Sequence, residues 1–229
     1  SRSGDRPDCA SAVNTACDAL DRVRTTAESH HRAFFVEVMG RNAGWIALHA
    51  GVASGADVIL IPEIPFSIDA VQRVIAERSR VHKRYSLICV AEGARPIGGA
   101  QVVARMESTA TDPVRLGGIA KVLADTIEEQ AKRGRGSNGF SADYECRHVV
   151  LGHIQRGGAP IPADRVLATQ FGHHAMTMFK QQRFNRMVAM RNFELTDIPI
   201  GDVADRQRLV PMDHRLVEAA KAIGVSFGV

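Results

Sequence analysis

Apolar positions along this chain change period repeatedly, and the changes alternate between helix-like and strand-like spacing. Ala10, Val13, Cys17, Leu20, Val23 and Ala27 recur at steps of three and four. That stripe predicts an amphipathic helix from Ala10 to Arg32, with Arg22, Arg24 and Glu28 on its other faces. Phe34 to Val38 is an apolar run of strand length, ended by Met39-Gly40-Arg41. Ile46 to Ala56 is rich in Ala and Gly and reads as a helix packed closely on a sheet. Val58 to Ile61 is a short buried strand that stops at Pro62. Ser67 can cap the next helix, with Asp69 in its first turn and Val71, Val74 and Ile75 on its apolar face. Ser86 to Ala91 is a further buried strand, followed by Glu92-Gly93.

Residues 93–113 carry Gly, Pro and polar residues and read as loop, in part a short irregular helix. Leu116, Ile119, Leu123 and Ile127 mark another helix, which fades into the tract K-R-G-R-G-S-N-G at 132–139, an exposed loop. Val149 to Leu151 is a buried strand. Val166, Leu167, Phe171, Ala175 and Met178 make a long helix, and Met187 to Met190 a strand. The segment from Phe193 to Ile200 is a short strand or a loop, and Leu216 to Ile223 closes the chain as a helix. Helix–strand alternation of this kind predicts an α/β fold with a mainly parallel sheet and helices on both faces. Residues 1–9 are polar and irregular. From residue 10 to 229 there is no internal repeat and no linker that divides the chain.

The candidate chemistry lies in R-H-V-V-L-G-H-I-Q-R-G-G-A-P-I-P-A-D-R at 147–165. Gly152 ends the strand. His153 and Arg156 then fall in a loop that Gly157, Gly158 and two prolines force to turn. Asp164 sits in the first turn of the following helix, where its charge complements the dipole. A His and an Arg just beyond the carboxyl end of a parallel strand occupy the place where open α/β sheets bind ligands. Arg presents a permanently charged planar fork that matches phosphate, and His donates from a ring nitrogen. Glycines allow close backbone approach. These features favour a phosphorylated small molecule. A solvated Arg156 and a surface His153 are the competing reading of the same residues.

Composition changes this picture little. The chain has 229 residues, 45% hydrophobic and 24% charged, as expected for a globular protein. The net charge is +4 and the sequence pI about 9.1, without a basic run interleaved with aromatics, so nucleic-acid binding is not expected. Phosphorylated metabolites account for the basic excess equally well. Cys9, Cys17, Cys89 and Cys146 have no metal-like or redox spacing. Cys89 and Cys146 read as buried thiols, and a reducing cytoplasm fits them. No stretch reaches membrane-spanning length, and no signal peptide opens the chain. Its start without Met reads as a processed, tagged or truncated one.

Four stretches together resemble the 6-phosphofructokinase family. They are D-R-V-R-T-T-A-E-S-H-H-R at 21–32, E-V-M-G-R-N-A-G-W at 37–45, A-E-G-A at 91–94, and L-G-H-I-Q-R-G-G-A-P with D-R-x-L-A over 151–168. The resemblance runs from about Ala12 to the C-terminus. The Met-Gly-Arg-Asn-Ala-Gly-Trp variant resembles a group with both ATP-dependent and pyrophosphate-dependent members. The implied fold is a three-layer phosphofructokinase-like sandwich, incomplete here. The implied activity is transfer of a phosphoryl group from ATP or pyrophosphate, with Mg2+, to the 1-hydroxyl of fructose 6-phosphate. The resemblance also implies residue roles. Met39, Gly40 and Glu92 contact the sugar, and His153 and Arg156 hold its 6-phosphate. Arg32 and Arg147 reach the 6-phosphate bound by a neighbouring subunit. Arg41 faces the phosphoryl group in flight, a task of charge neutralisation that suits Arg. The enzyme would be a cytoplasmic, glycolytic homodimer or homotetramer.

The chain also departs from the family. The Gly-Gly-Asp-Gly-type phosphate loop and the Thr-Ile-Asp-Asn-Asp segment that supplies the catalytic base do not occur in it. The resemblance is therefore to the sugar-phosphate half, with Mg2+ and the donor held mainly by the other half and the isolated chain inactive. A non-catalytic sugar-phosphate-binding regulatory module is the alternative. Arg24, Asp57 and Lys83 fall at or near positions of a nucleotide-effector site in some bacterial members, while Val81 stands where a Lys is common. Solvated surface charges are the other reading of those three. Finally, six extended residues put Arg147 and His153 roughly 20 Å apart, and nine put Arg32 and Arg41 about 30 Å apart. That separation favours a site shared across a two-fold axis.

Overall fold

The apolar runs at 34–38, 58–61, 86–91 and 149–151 each belong to one sheet. In the computed structural model, which describes residues 10–27, 32–83, 85–106, 114–133, 145–204 and 206–229, these become β1 (Arg32–Val38), β2 (Val58–Leu60), β3 (Ser86–Ala91) and β6 (Glu145–Val150). All pairs are parallel, in the order β2-β3-β1-β6. The predicted irregular start, Cys9 and most of the Gly/Arg tract lie outside the described residues.

Among the described residues the chain forms two compact units, a division that no change in composition marks. The larger comprises residues 12–157 and 209–229. Its core follows from strands buried on both faces, successive side chains pointing to opposite sides. Ala33, Phe35, Val58, Leu60, Ile88 and Val90 face Val71 and Ile75 of α3 (Ile68–Arg80) and Ile119, Leu123 and Ile127 of α4 (Ile119–Arg133). On the opposite face, α2 (Trp45–Ala53) packs so closely that a Cβ at Gly51 would lie 2.7 Å from the Ile59 side chain and 3.3 Å from Cys89. Ser67 caps α3 by accepting from the Ala70 N–H. The C-terminal segment lies along β2, with Ser226 bridging to Val58, and follows α6 (Arg215–Ala222).

The smaller unit contains Gly158–Arg208 together with Ser11. It holds α5 (Pro162–Lys180) and an antiparallel hairpin of β7 (Arg186–Arg191) and β8 (Glu194–Pro199). Asp164 in the first turn of α5 accepts from the Ser11 N–H at 2.8 Å and the Ser11 hydroxyl at 2.5 Å. Asp197 is buried and ion-paired with Arg183 and Arg186, which hold its carboxyl below the usual range. No helix among the described residues is long and apolar enough to cross a membrane.

Several expectations need correction. The first helix, α1, spans Ala10–Ala27, and Arg32 opens β1 instead of ending that helix. β6 is an edge strand, so Arg147, His148 and Val150 are exposed and only Cys146 and the following Leu151 are buried. Within the stretch read as loop, β4 (Val103–Met106) pairs with β5 (Val114–Leu116) in an antiparallel ribbon that contains Leu116. Such short strands carry no detectable periodicity. Of the segment Phe193–Ile200, Glu194–Pro199 is strand, because it pairs with β7.

Candidate functional site

The parallel sheet sorts the predicted site residues into two groups, one at each end of its strands. At the carboxyl ends of β3, β1 and β6 lie Glu92, the Met39–Arg41 loop and the turn that carries His153 and Arg156. At the amino ends of β1 and β6 lie Arg32 and Arg147.

The carboxyl-end loop is held by its neighbours. Glu92 Oε1 accepts from the Gly40 N–H at 3.1 Å and from the Arg41 N–H at 2.8 Å. The Met39 N–H donates to Gln155 Oε1 at 2.7 Å. The three amides are thus occupied, so the loop presents carbonyls and side chains to a ligand. Arg41 is exposed, with φ +52°, a left-handed conformation uncommon for residues other than glycine. Its carbonyl lies over Gly93, where a Cβ would come within 2.0 Å. Gln101 Nε2 braces the same corner, donating to Gly93 O at 2.8 Å and Asn42 Oδ1 at 3.1 Å.

His153 and Arg156 lie on a 3-10 helix, Gly152–Arg156, where an irregular loop was expected. In 3-10 geometry residues three apart share a face. His153 and Arg156 therefore project together and both are exposed, whereas Gln155 is buried. Gly152 turns the chain out of β6 with φ +50°, the left-handed region that favours glycine.

Behind this end, β1 and α2 are fixed by buried or half-buried carboxylates. Glu37 accepts from Gly118 N–H at 2.9 Å and Ala120 N–H at 3.0 Å, at the start of α4. Glu63 accepts from Gly44 N–H at 3.0 Å and Val210 N–H at 2.9 Å. Anionic oxygens are favoured at helix N-termini, where amide donors lack internal partners. Trp45, the chain's single tryptophan, opens α2 between His49 and His214, with ring centroids 6.1 and 5.1 Å away. Burial, and then the His214 charge, lowers the pKa of His49.

At the amino end, Arg32 Nε pairs with Glu145 Oε2 at 2.5 Å, and the other oxygen of Glu145 pairs with Arg147. Strand register explains the cluster, because Arg32 lies opposite Glu145 and Phe34 opposite Arg147. Arg24, Asp57 and Lys83 also come together near the starts of β2 and β3. Asp57 accepts from Leu87 N–H at 2.8 Å and pairs with Arg78 at 2.8 Å. Burial raises the Asp57 pKa, against the pull of the Leu87 amide and the Arg78, Arg24 and Lys83 charges. Arg24 Nε and Nη2 are buried with no hydrogen-bond partner among the described residues. Asp57 and Arg24 are therefore not simple solvated charges.

Sequence reasoning missed Gln155, Glu37, Glu63 and Arg78. Gln155 gave no signal, because it sits between exposed neighbours, Ile154 and Arg156, and its backbone partner is distant in sequence. The carboxylates gave no signal, because their partners are backbone amides distant in sequence.

Comparison with known proteins places these features in context. Residues 9–179 match the family profile described as Phosphofructokinase. The chain is 44% identical over 216 residues to ATP-dependent 6-phosphofructokinase 2 of Clostridium perfringens, covering 94% of this chain and 56% of the relative. It is 48% identical over 204 residues to pyrophosphate–fructose 6-phosphate 1-phosphotransferase of Amycolatopsis methanolica, covering 89% and 56%. The chain thus spans a little over half the length of these curated relatives. Among solved structures, Saccharomyces cerevisiae phosphofructokinase superposes with a TM-score of 0.65 at 30% identity, covering 84% of this chain and 23% of that one. A pyrophosphate-dependent phosphofructokinase from Nitrosospira multiformis shares the fold, with a TM-score of 0.67 at 22% identity, covering 96% and 54%.

Proposed function

The chain belongs to the phosphofructokinase family, and from that premise we propose that it supplies the acceptor site of a 6-phosphofructokinase. The acceptor is fructose 6-phosphate, and the donor is ATP or pyrophosphate. The observation that carries this reading is the convergence of Glu92, Met39–Arg41, His153 and Arg156 at the carboxyl ends of three adjacent parallel strands. His153 and Arg156 hold the 6-phosphate, the Arg forming charge-assisted bonds in a bidentate fork. Met39, Gly40 and Glu92 read the sugar, Glu92 with the carboxylate oxygen not bonded to the loop amides. Arg41 stabilises the charge that spreads over the transferring phosphoryl oxygens. Arg32 and Arg147 serve the site of a second subunit in a homodimer or homotetramer. The enzyme acts in glycolysis, in the cytoplasm.

Two further parts of the reading concern what other residues supply. Magnesium accompanies the donor, but no group of three or more His, Cys, Asp or Glu among the described residues comes together as a cation site. The donor-loop and base motifs are absent from the 229 residues, so the isolated polypeptide binds fructose 6-phosphate without turnover. The cluster of Arg24, Asp57 and Lys83, joined by Arg78, is the proposed effector site.

Calorimetric titration with fructose 6-phosphate tests the acceptor reading. Binding should be measurable and should weaken by about tenfold or more in Arg156→Ala, the loss of one charged bidentate contact. An unchanged affinity would exclude the phosphate role of Arg156. Product formation from ATP or pyrophosphate by the purified chain would exclude the division of labour.

A further inference from the structure

The two neighbours of β1 leave the sheet differently, and one buried side chain makes up the difference. On the β3 side, the last ladder bond runs from the Glu92 N–H to the Val38 carbonyl at 2.9 Å. On the β6 side, it runs from the Leu151 N–H to the Glu37 carbonyl at 3.0 Å. In a parallel ladder the donor and acceptor two residues apart face the same neighbour, so the next donor toward β6 is the Met39 N–H. The Leu151 carbonyl would ordinarily receive it, but the chain turns away at Gly152 and that carbonyl accepts from the Ile154 N–H at 3.1 Å instead. Gln155 Oε1 takes that carbonyl's place at 2.7 Å. The side chain is only 4% exposed, so water does not compete for the bond. The donor at Met39 also fixes the orientation of the amide, since its NH2 group cannot accept.

The same residue sets the turn. With Gln155 anchored inward, 3-10 geometry sends His153 and Arg156 outward on a common face. The Met39–Arg41 loop is held from the other side by Glu92. The loop assigned to the sugar and the turn assigned to the phosphate are therefore joined through one bond between side chain and backbone.

We infer that Gln155 is a positioning residue, which ties the His153–Arg156 turn to the Met39–Arg41 loop so that both engage one ligand in a fixed relation. This rests on the sugar-phosphate reading above. A ligand that spans loop and turn depends on the tie, whereas one that touches only the turn does not.

Two measurements on the purified chain separate the tie from that reading. The first is titration of wild type, Gln155→Leu and Gln155→Glu with fructose 6-phosphate and with inorganic phosphate. Leu removes the acceptor at similar size; Glu keeps an acceptor oxygen. Gln155→Leu should weaken fructose 6-phosphate by about tenfold while inorganic phosphate changes by about twofold or less, and Gln155→Glu should restore much of the difference. The second is amide exchange by NMR, without ligand. Protection at Met39 should fall in Gln155→Leu and return in Gln155→Glu, with Ile59 and Val90 unchanged. Should the Leu variant not fold, Gln155→Asn serves, because its amide is one methylene too short to reach Met39. Equal losses for both ligands, or unaltered Met39 exchange, would overturn the inference. If the wild type binds neither ligand, the sugar-phosphate reading fails and the exchange measurement alone decides whether the tie exists.

Discussion

Single residues in this chain differ in chemistry because the fold gives them different access to water. Cys89 and Cys146 lie in strands, 0% and 4% exposed, and burial pushes both thiols up to about 12. The thiolate is the reactive form, so both should be inert at neutral pH. Titration of the native protein with a chromogenic disulfide should modify neither, and mass mapping should place any rapid label on other cysteines. Rapid native labelling of Cys89 would contradict the packing of α2 on β3. His49 responds to the same burial in the opposite sense, since its charged form is the cation. Its folded pKa lies below the ordinary 6.5, so the folded state binds its proton more weakly than the unfolded state does. The stability this contributes is present above about pH 6.5 and is lost as pH falls through the folded pKa. Urea unfolding followed by the Trp45 signal should therefore show lower stability at mildly acid pH. His49→Gln should reduce that slope, and an identical slope in the variant would assign the pH dependence elsewhere.

At the scale of elements, the decisive feature is how tightly the loops after β1 and β3 interlock. A Cβ on Gly93 would lie 2.0 Å from the Arg41 carbonyl oxygen, which is backbone and has little room to yield. Gly93→Ala should cost on the order of 3 kcal/mol, or displace the Arg41 turn. A thermal melt and amide exchange at Arg41 would detect either result, and a variant neutral in both would show that the corner is not tightly packed. Elements of this kind also explain what could be read in advance. The strands β1, β2 and β3 were legible as near-continuous apolar runs because both their faces are buried, and the helices α3 and α4 because one buried face imposes a stripe. Ser67 was legible as a cap because its role is local. The His-x-x-Arg segment was legible as a candidate site part because glycines and charges follow an apolar run, and the Met-Gly-Arg segment only through the family resemblance. The β4–β5 ribbon was not, since each strand is too short to show alternation. The exposure of β6 was not, since edge position depends on topology rather than on sequence. Nor was the role of Gln155, whose partner lies 116 residues away.

For the whole molecule, the separation of the two arginine groups has the largest consequence. Arg147 lies near the start of β6, and its side chain is paired with Glu145, as is Arg32. His153 lies beyond the other end of the strand. The fully extended estimate overstates this gap, because residues from 152 onward follow a 3-10 path with a smaller rise. About 13 Å along the strand and up to about 4 Å along the turn put the two Cα atoms on the order of 13 to 17 Å apart. An Arg side chain pointing toward Glu145 does not cross that distance, which supports the proposal that Arg147 and His153 of one chain serve different phosphates. A two-fold axis would bring the amino-end arginines of one subunit to the carboxyl-end site of another. On the proposed shared arrangement, the Glu145 pairing would be a resting contact that a phosphate of higher charge displaces. Complementation in a full-length phosphofructokinase that carries these residues tests the arrangement. Arg147→Ala and His153→Ala subunits, each inactive alone, should form hybrids with partial activity, because one of the two sites in such a hybrid retains both residues. Verified hybrids without recovered activity would contradict the shared arrangement.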